Sequence, residues 1–236
     1  MYFFDPMYWL VIGVGMALSL WAQAKVKGTF RKYARIGTRS RMTGAQVAQG
    51  ILDQNSISGV RIEPIKGSMT DHYDPRTRTL RLSEPVYGSN SMAAFGVAAH
   101  EVGHAIQHAS GYAPLKFRSA WVPVANLGGG LSMVVLILAA IMGGAATALG
   151  QTAALVGVLM FATTTVFTLV TLPVEFDASR RALVALESGG FVNSAELAGA
   201  RKVLNAAAMT YVAAFVTSLL TLLYWAYRLG LLGGRR

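Results

Sequence analysis

The chain has 236 residues, 53% of them hydrophobic and only 14% charged, and its mean hydropathy is +0.45. A soluble domain carries roughly 25% charged residues, so this balance indicates a membrane protein. No cysteine is present, which excludes disulfides, thiolate metal sites and cysteine nucleophiles, and leaves His, Asp and Glu as metal-binding side chains.

In chain order, residues 1–24 read as an N-terminal transmembrane anchor built on the apolar run Met7–Ala22. The run is shorter than the roughly 20 residues that span a bilayer, so it needs its flanks. Asp5 precedes it and no Lys or Arg occurs before Lys25, which argues for an uncleaved anchor with its N-terminus outside despite the small-residue stretch Ala22-Gln23-Ala24. Residues 25–120 read as a folded cytoplasmic catalytic domain. Thr43 and Gln46 have capping-box spacing and open a helix through about Gln54. Val60–Ile65 reads as a strand, Asp71–Arg76 as a turn, and Thr79–Ser83 as a second strand with an edge open to an extended substrate. A helix capped by Ser89 or Asn90 then runs to Ser110 and stops at Gly111. Residues 121–173 form a transmembrane hairpin, from Trp121 to about Gly144 and from about Thr152 to Leu172. Residues 174–204 form a second cytoplasmic helical segment, and 205–236 hold a fourth span, Asn205–Tyr227, and a tail.

Trp9, Trp21, Trp121, Tyr224 and Trp225 lie near span ends, where aromatic side chains favour the interface. The last three spans contain no Asp, Glu, Lys, Arg or His, which argues against a transport path. Fourteen Lys or Arg lie between Lys25 and Arg118, and Arg180, Arg181, Arg201 and Lys202 separate spans three and four. Only Arg228, Arg235 and Arg236 fall on the opposite side, so 25–120 and 174–204 are placed in the cytoplasm of a multi-pass cell-membrane protein. The net charge of +10 is thereby an orientation signal and a contact for anionic membrane lipids, with no nucleic-acid motif beside it. Gly128-Gly129-Gly130 and Gly143-Gly144-Ala145-Ala146 are read as close helix-packing sites. The fold class is a mainly α membrane protein, with about four transmembrane helices and a small α+β cytoplasmic zincin-like domain.

The chemistry centres on His100-Glu101-Val102-Gly103-His104. On a helix, residues four apart share one face, so both imidazoles can reach one zinc ion. Glu101, beside His100, is placed to act as the catalytic base rather than as a ligand. Val102 and Gly103 leave room for a neighbouring segment. Catalytic zinc takes three protein ligands, and Glu175, where span three emerges, is the favoured third. Asp177, Glu187 and Glu196 are its competitors. His108 lies about 12 Å of helix beyond His100, too far to share the ion, and takes a supporting role. His72 reads as a turn residue able to contact substrate. Tyr73, Tyr87, Tyr112 and Arg180 are candidate oxyanion donors.

HEVGHAIQH, the preceding DHYDPRTRTLRLSEPVYG and the later LPVEFDASRRA resemble the neutral zinc metallopeptidases of the YugP-like bacterial membrane family over nearly the whole chain. More distantly, the arrangement is similar to the HtpX and CAAX-prenyl membrane peptidases, where a later glutamate completes a His, His, Glu site. The resemblance implies one Zn2+ per chain on His100, His104 and Glu175, with Glu101 as base. It also places Ser179 where the distant group usually has an aspartate steadying a histidine, so that role passes to Ser179 or to an acid such as Asp177. The implied function is a zinc-dependent endopeptidase acting on protein or peptide substrates at the cytoplasmic face. The rival readings are an intramembrane protease and a non-catalytic scaffold with a structural metal site. Oligomeric state is not legible.

Overall fold

The structure is a computed structural model that describes residues 5–229, and of Ala145 the backbone alone. Arg235 and Arg236 of the expected outer tail lie outside the described residues. The elements run α1 (Pro6–Tyr33), α2 (Gly44–Gln54), β1 (Arg61–Ile65), β2 (His72–Asp74), β3 (Thr79–Ser83), α3 (Glu84–Tyr87), α4 (Met92–Ala109), α5 (Ala113–Ile141), α6 (Ala148–Ser188) and α7 (Ser194–Arg228). The chain divides into two compact units. One comprises Met1–Trp21, Phe117–Leu172 and Tyr211–Arg236, and the other Ala22–Lys116 and Pro173–Thr210.

The first unit holds the apolar stretches of α1, α5, α6 and α7, the four described helices long and apolar enough to cross a membrane. Only 11–28% of the residues in their most apolar windows are buried by protein. Leu127, Ile141 and Leu149 are among the large apolar side chains left exposed. So much uncovered hydrocarbon is stable only where lipid covers it. Within the unit, α5 and α6 pack closely at Gly128, where a Cβ would lie 2.1 Å from Thr163 Oγ1 and 2.6 Å from the Met160 carbonyl oxygen. Gly130 has nothing within 4 Å. Gly143 and Gly144, expected to serve helix packing, instead have positive φ (95° and 54°) and turn the chain between α5 and α6. Asp5 pairs with Arg228 at 3.2 Å and accepts from Tyr224 at 2.9 Å. This pair brings the starts of α1 and ends of α7 to one side, as four crossings require, and offsets the basic charge left on that side.

The helices extend well beyond the spans read from hydropathy. α1 continues through the basic run to Tyr33, and α5 begins eight residues before Trp121. Glu175 stands on the same helix as the third span, since α6 passes through Pro173 without ending. Charge marks where an apolar run stops, but Lys, Arg and Glu are good helix formers and do not stop a helix. At 1.5 Å per residue the 41 residues of α6 measure about 60 Å, twice the hydrocarbon core.

The second unit contains a three-stranded sheet in the order β1-β3-β2, with β1 parallel and β2 antiparallel to β3. β3 is therefore central, paired on both sides, and cannot accept a substrate strand at its edge; β1 and β2 form the edges. Pro64 is tolerated because β1 is an edge strand. β2 falls within the segment expected to be a turn. Asp74 ends it, accepting from the Arg76 amide and the Thr77 hydroxyl, and this turn chemistry masks the short strand before it. The capping box at α2 forms with both of its hydrogen bonds. The cap of α4 is Ser91 rather than Ser89 or Asn90, with its side chain accepting from the Ala94 amide at 3.2 Å.

α4 is the central helix of this unit. Val47, Ile51 and Leu52 of α2, Leu80 and Leu82 of β3, Leu186 of α6, and Leu197 and Leu204 of α7 share one core with its Phe95, Ala98 and Val102. Twelve of its 18 residues are buried, so small side chains dominate its surface and neighbours approach closely. The α2 start is similarly tight: a Cβ on Gly44 would lie 2.3 Å from the Val86 carbonyl oxygen, whereas one on Gly88 would meet nothing within 4 Å. We expect Gly44→Ala to destabilise the protein by about 1–3 kcal/mol in a thermal melt, as overpacking does, while Gly88→Ala leaves the midpoint near that of wild type.

Candidate metal centre

α4 and the second half of α6 build the centre. A Cβ on Gly103 would lie 2.4 Å from the carbonyl oxygen of Ala178 and 3.2 Å from its Cα, so only glycine permits this approach of the two backbones. It brings Glu175 onto the face of α4 that presents His100 and His104. Glu175 Oε2 lies 3.2 Å from His100 Nε2 and 3.7 Å from His104 Nε2. The three donor atoms fall within 4.8 Å of one another. Bonds of about 2.0–2.2 Å at tetrahedral angles separate ligand atoms by about 3.3–3.6 Å, and the two carboxylate–imidazole separations lie close to this, so the donor set suits a zinc ion. Glu175 is 2% exposed and His104 9%, while His100 is less covered, leaving the group approachable from the His100 side.

The opposite nitrogen of each imidazole is also engaged. His100 Nδ1 lies 3.1 Å from Ser179 Oγ, one turn beyond Glu175 on α6. His104 Nδ1 lies 3.1 Å from Gln107 Oε1. Gln107 Nε2 donates to the Val174 carbonyl at 2.8 Å and to Asp177 Oδ2 at 2.9 Å. Those two acceptors fix the amide orientation, so its oxygen faces His104 and requires Nδ1 to carry the proton. Nε2 is then the nitrogen turned toward Glu175, the one a metal ion would take. Asp177 is held in turn by Arg180 and Arg181.

Glu101 is buried beside His100 and accepts from the Tyr73 backbone amide on the edge strand β2. Burial pushes its carboxyl up to about 7, and the charges of Glu175 and Asp71 add to this against the opposing pull of His100 and the Tyr73 amide. Burial also acts to raise Glu175, but hydrogen bonds and charge from His100 and His104 prevail and hold it below the usual carboxylate range.

The structure thus gathers His100, His104 and Glu175, with Glu101 and Ser179 next to them. Of the competing carboxylates, Asp177 faces its arginines and Gln107, Glu187 is exposed, and Glu196 accepts from the Arg39 and Asn193 amides. His108 stands apart from the three donors, its Nδ1 2.9 Å from the Tyr73 hydroxyl. His72 bonds the Thr70 carbonyl at 2.8 Å and is not in the cluster. Arg180 is tied to Asp177, and Tyr112 lies against Arg181, 5.6 Å from guanidinium to ring centre. Tyr87 packs against the apolar core. Gln107 was not singled out by sequence, although its spacing (three beyond His104, seven beyond His100) puts it on the ligand face.

The four long apolar helices and the two-histidine, one-glutamate cluster are the features of a multi-pass membrane protein with a candidate zinc site. The chain belongs to the family described as "Putative neutral zinc metallopeptidase", which it matches over residues 8–230. It is similar to "Putative membrane protease YugP" of Bacillus subtilis (strain 168), at 46% identity over 208 residues, covering 88% of this chain and 90% of that protein. No solved structure matches the chain. Because Gln107 meets His104 at Nδ1, away from the nitrogen that faces Glu175, its replacement tests how much orientation matters. We expect Gln107→Leu to weaken zinc binding by about 10–100-fold, the usual cost of losing a partner behind a metal-binding histidine, measured by competition with a chelating dye.

Proposed function

We propose that the protein is an endopeptidase that hydrolyses peptide bonds of protein or peptide substrates at the cytoplasmic face of the membrane, with one zinc ion on His100, His104 and Glu175 and Glu101 as the catalytic base. The observation that carries this reading is the convergence of the three donor atoms within 4.8 Å, with a buried fourth carboxylate, Glu101, beside them. A zinc ion held by His100, His104 and Glu175 would supply Lewis acidity, which polarises a carbonyl and makes water a better nucleophile near neutral pH. Glu101 accepts the proton released by the attacking water and returns it to the leaving amine. A carboxyl held near neutrality by burial is suited to both steps. Ser179 and Gln107 orient the imidazoles. An extended substrate aligns along β2, the edge strand whose Tyr73 amide already reaches Glu101.

A site in the aqueous phase rather than inside the bilayer is favoured by α4 itself. It is not among the four helices apolar enough to cross, and it sits in the core of the second unit. The basic residues that flank this unit in sequence support its cytoplasmic side.

Purified wild type is expected to hold one zinc per chain, and His100→Ala and Glu175→Ala to lose it. Retention in Glu175→Ala would overturn the ligand set. Glu101→Gln is expected to keep its zinc and to cleave a fluorogenic peptide library about 10²–10⁴-fold more slowly. If Glu101→Gln still cut at the wild-type rate, the base assignment would fall; if zinc-loaded wild type cut nothing in the library, a structural metal site would be the better reading.

The absence of cysteine makes sidedness simple to test. Introduced at the exposed positions Lys116 and Glu187, cysteines should react in intact cells only with permeant maleimide. A cysteine at Ala146 should react with an impermeant one. The reverse pattern would put the metal centre outside.

A further inference from the structure

Away from the metal centre, α1, α6 and α7 surround a cavity of about 600 Å³. Lys25, Gly28, Thr29 and Lys32 line it from α1, at the i, i+3, i+4, i+7 spacing of a single helix face. Lys202, Asn205, Ala206 and Met209 line it from α7 at the same spacing. Phe176, half exposed, closes it from α6. Three cations and no acid line the cavity. Gly28 has nothing within 4 Å of its Cβ position, which leaves that wall open.

Sequence fixes the depth at which this cavity meets the bilayer. Lys25 is the first charge after the apolar run of α1, and Lys202 is the last charge before the apolar run of α7. Both therefore sit at headgroup level. The rest of the lining mixes Thr29 and Asn205 with apolar side chains, Phe176 and Met209 among them. A cavity lined by both cations and apolar side chains at the membrane boundary matches one ligand class, a phosphate ester carrying acyl chains. The volume suits a headgroup and the first carbons of its chains.

We propose that this cavity binds an anionic phospholipid, its phosphate held by Lys25, Lys32 and Lys202 and the start of its acyl chains laid against Met209 and Phe176. The site is independent of the peptidase reading. Phe176 directly follows Glu175, so the lipid occupies one side of the helical turn whose other side carries the third metal donor.

The test uses the full chain in phosphatidylcholine nanodiscs titrated with phosphatidylglycerol at low salt, with bound lipid counted by native mass spectrometry. Lys25→Gln, Lys32→Gln and Lys202→Gln together remove three charges from the cavity. Lys27→Gln, Arg31→Gln and Arg201→Gln remove three from the same two helices outside it. We expect the cavity triple variant to lose affinity by on the order of 100-fold, and the control triple variant to retain most of it. Replacing the three cavity lysines with arginine is expected to preserve binding, which separates lost charge from lost fold. Equal losses in the two triple variants would mean a diffuse surface field and would overturn the site. So would full retention by the cavity variant, or competition by inorganic phosphate as effective as that of phosphatidylglycerol, which would leave the apolar side chains without a role.

Discussion

The close approach of α4 to α6 at Gly103 is the constraint on which the centre depends. With a carbonyl oxygen 2.4 Å from the position of a missing Cβ, the two helices touch backbone to backbone. That contact sets the height of Glu175 against His100 and His104 and of Ser179 against the back of His100. Packing here is not a support for a site formed elsewhere. The same van der Waals limit that makes Gly103 indispensable defines the donor separations. The alanine-rich surface of α4 serves the same end, because interiors packed to crystal density transmit small displacements.

A second layer of control runs from charge to orientation. Arg180 and Arg181 hold Asp177, Asp177 and the Val174 carbonyl hold the Gln107 amide, and Gln107 sets the tautomer of His104. Ser179 meets His100 directly. The two imidazoles are thus steadied by different chemistry, an amide relay for one and a hydroxyl for the other. The resemblance to more distant peptidases suggested that Ser179 or Asp177 takes over the aspartate role. In this fold Ser179 lies against His100, and Asp177 reaches His104 only by way of Gln107.

What sequence made legible follows from how local each feature is. His100 and His104 are readable because a helix puts residues four apart on one face. The capping box of α2 and the apolar runs are local in the same sense. Glu175 lies 75 residues beyond His100, so only position and resemblance pointed to it. Gln107 escaped notice because a glutamine in a helix suggests solvent, and its complete burial depends on a helix far along the chain. β2 is three residues long and ends in Asp74 turn chemistry, so its register with β3 is visible only in three dimensions. The central position of β3 was hidden for the same reason. The fusion of spans and outer helices in α1, α6 and α7 was missed because charge ends a membrane segment without ending the hydrogen-bonded ladder.

The 75-residue separation between His100 and Glu175 also carries a consequence in time. Synthesis delivers the two histidines first, then α5 and the apolar stretch of α6, and only afterwards the third donor. A chain still short of Pro173 owns an incomplete donor set, two nitrogens without the carboxylate. Completion of the proposed centre is therefore tied to chain length: the three donors can meet only once synthesis has passed Pro173 and delivered Glu175.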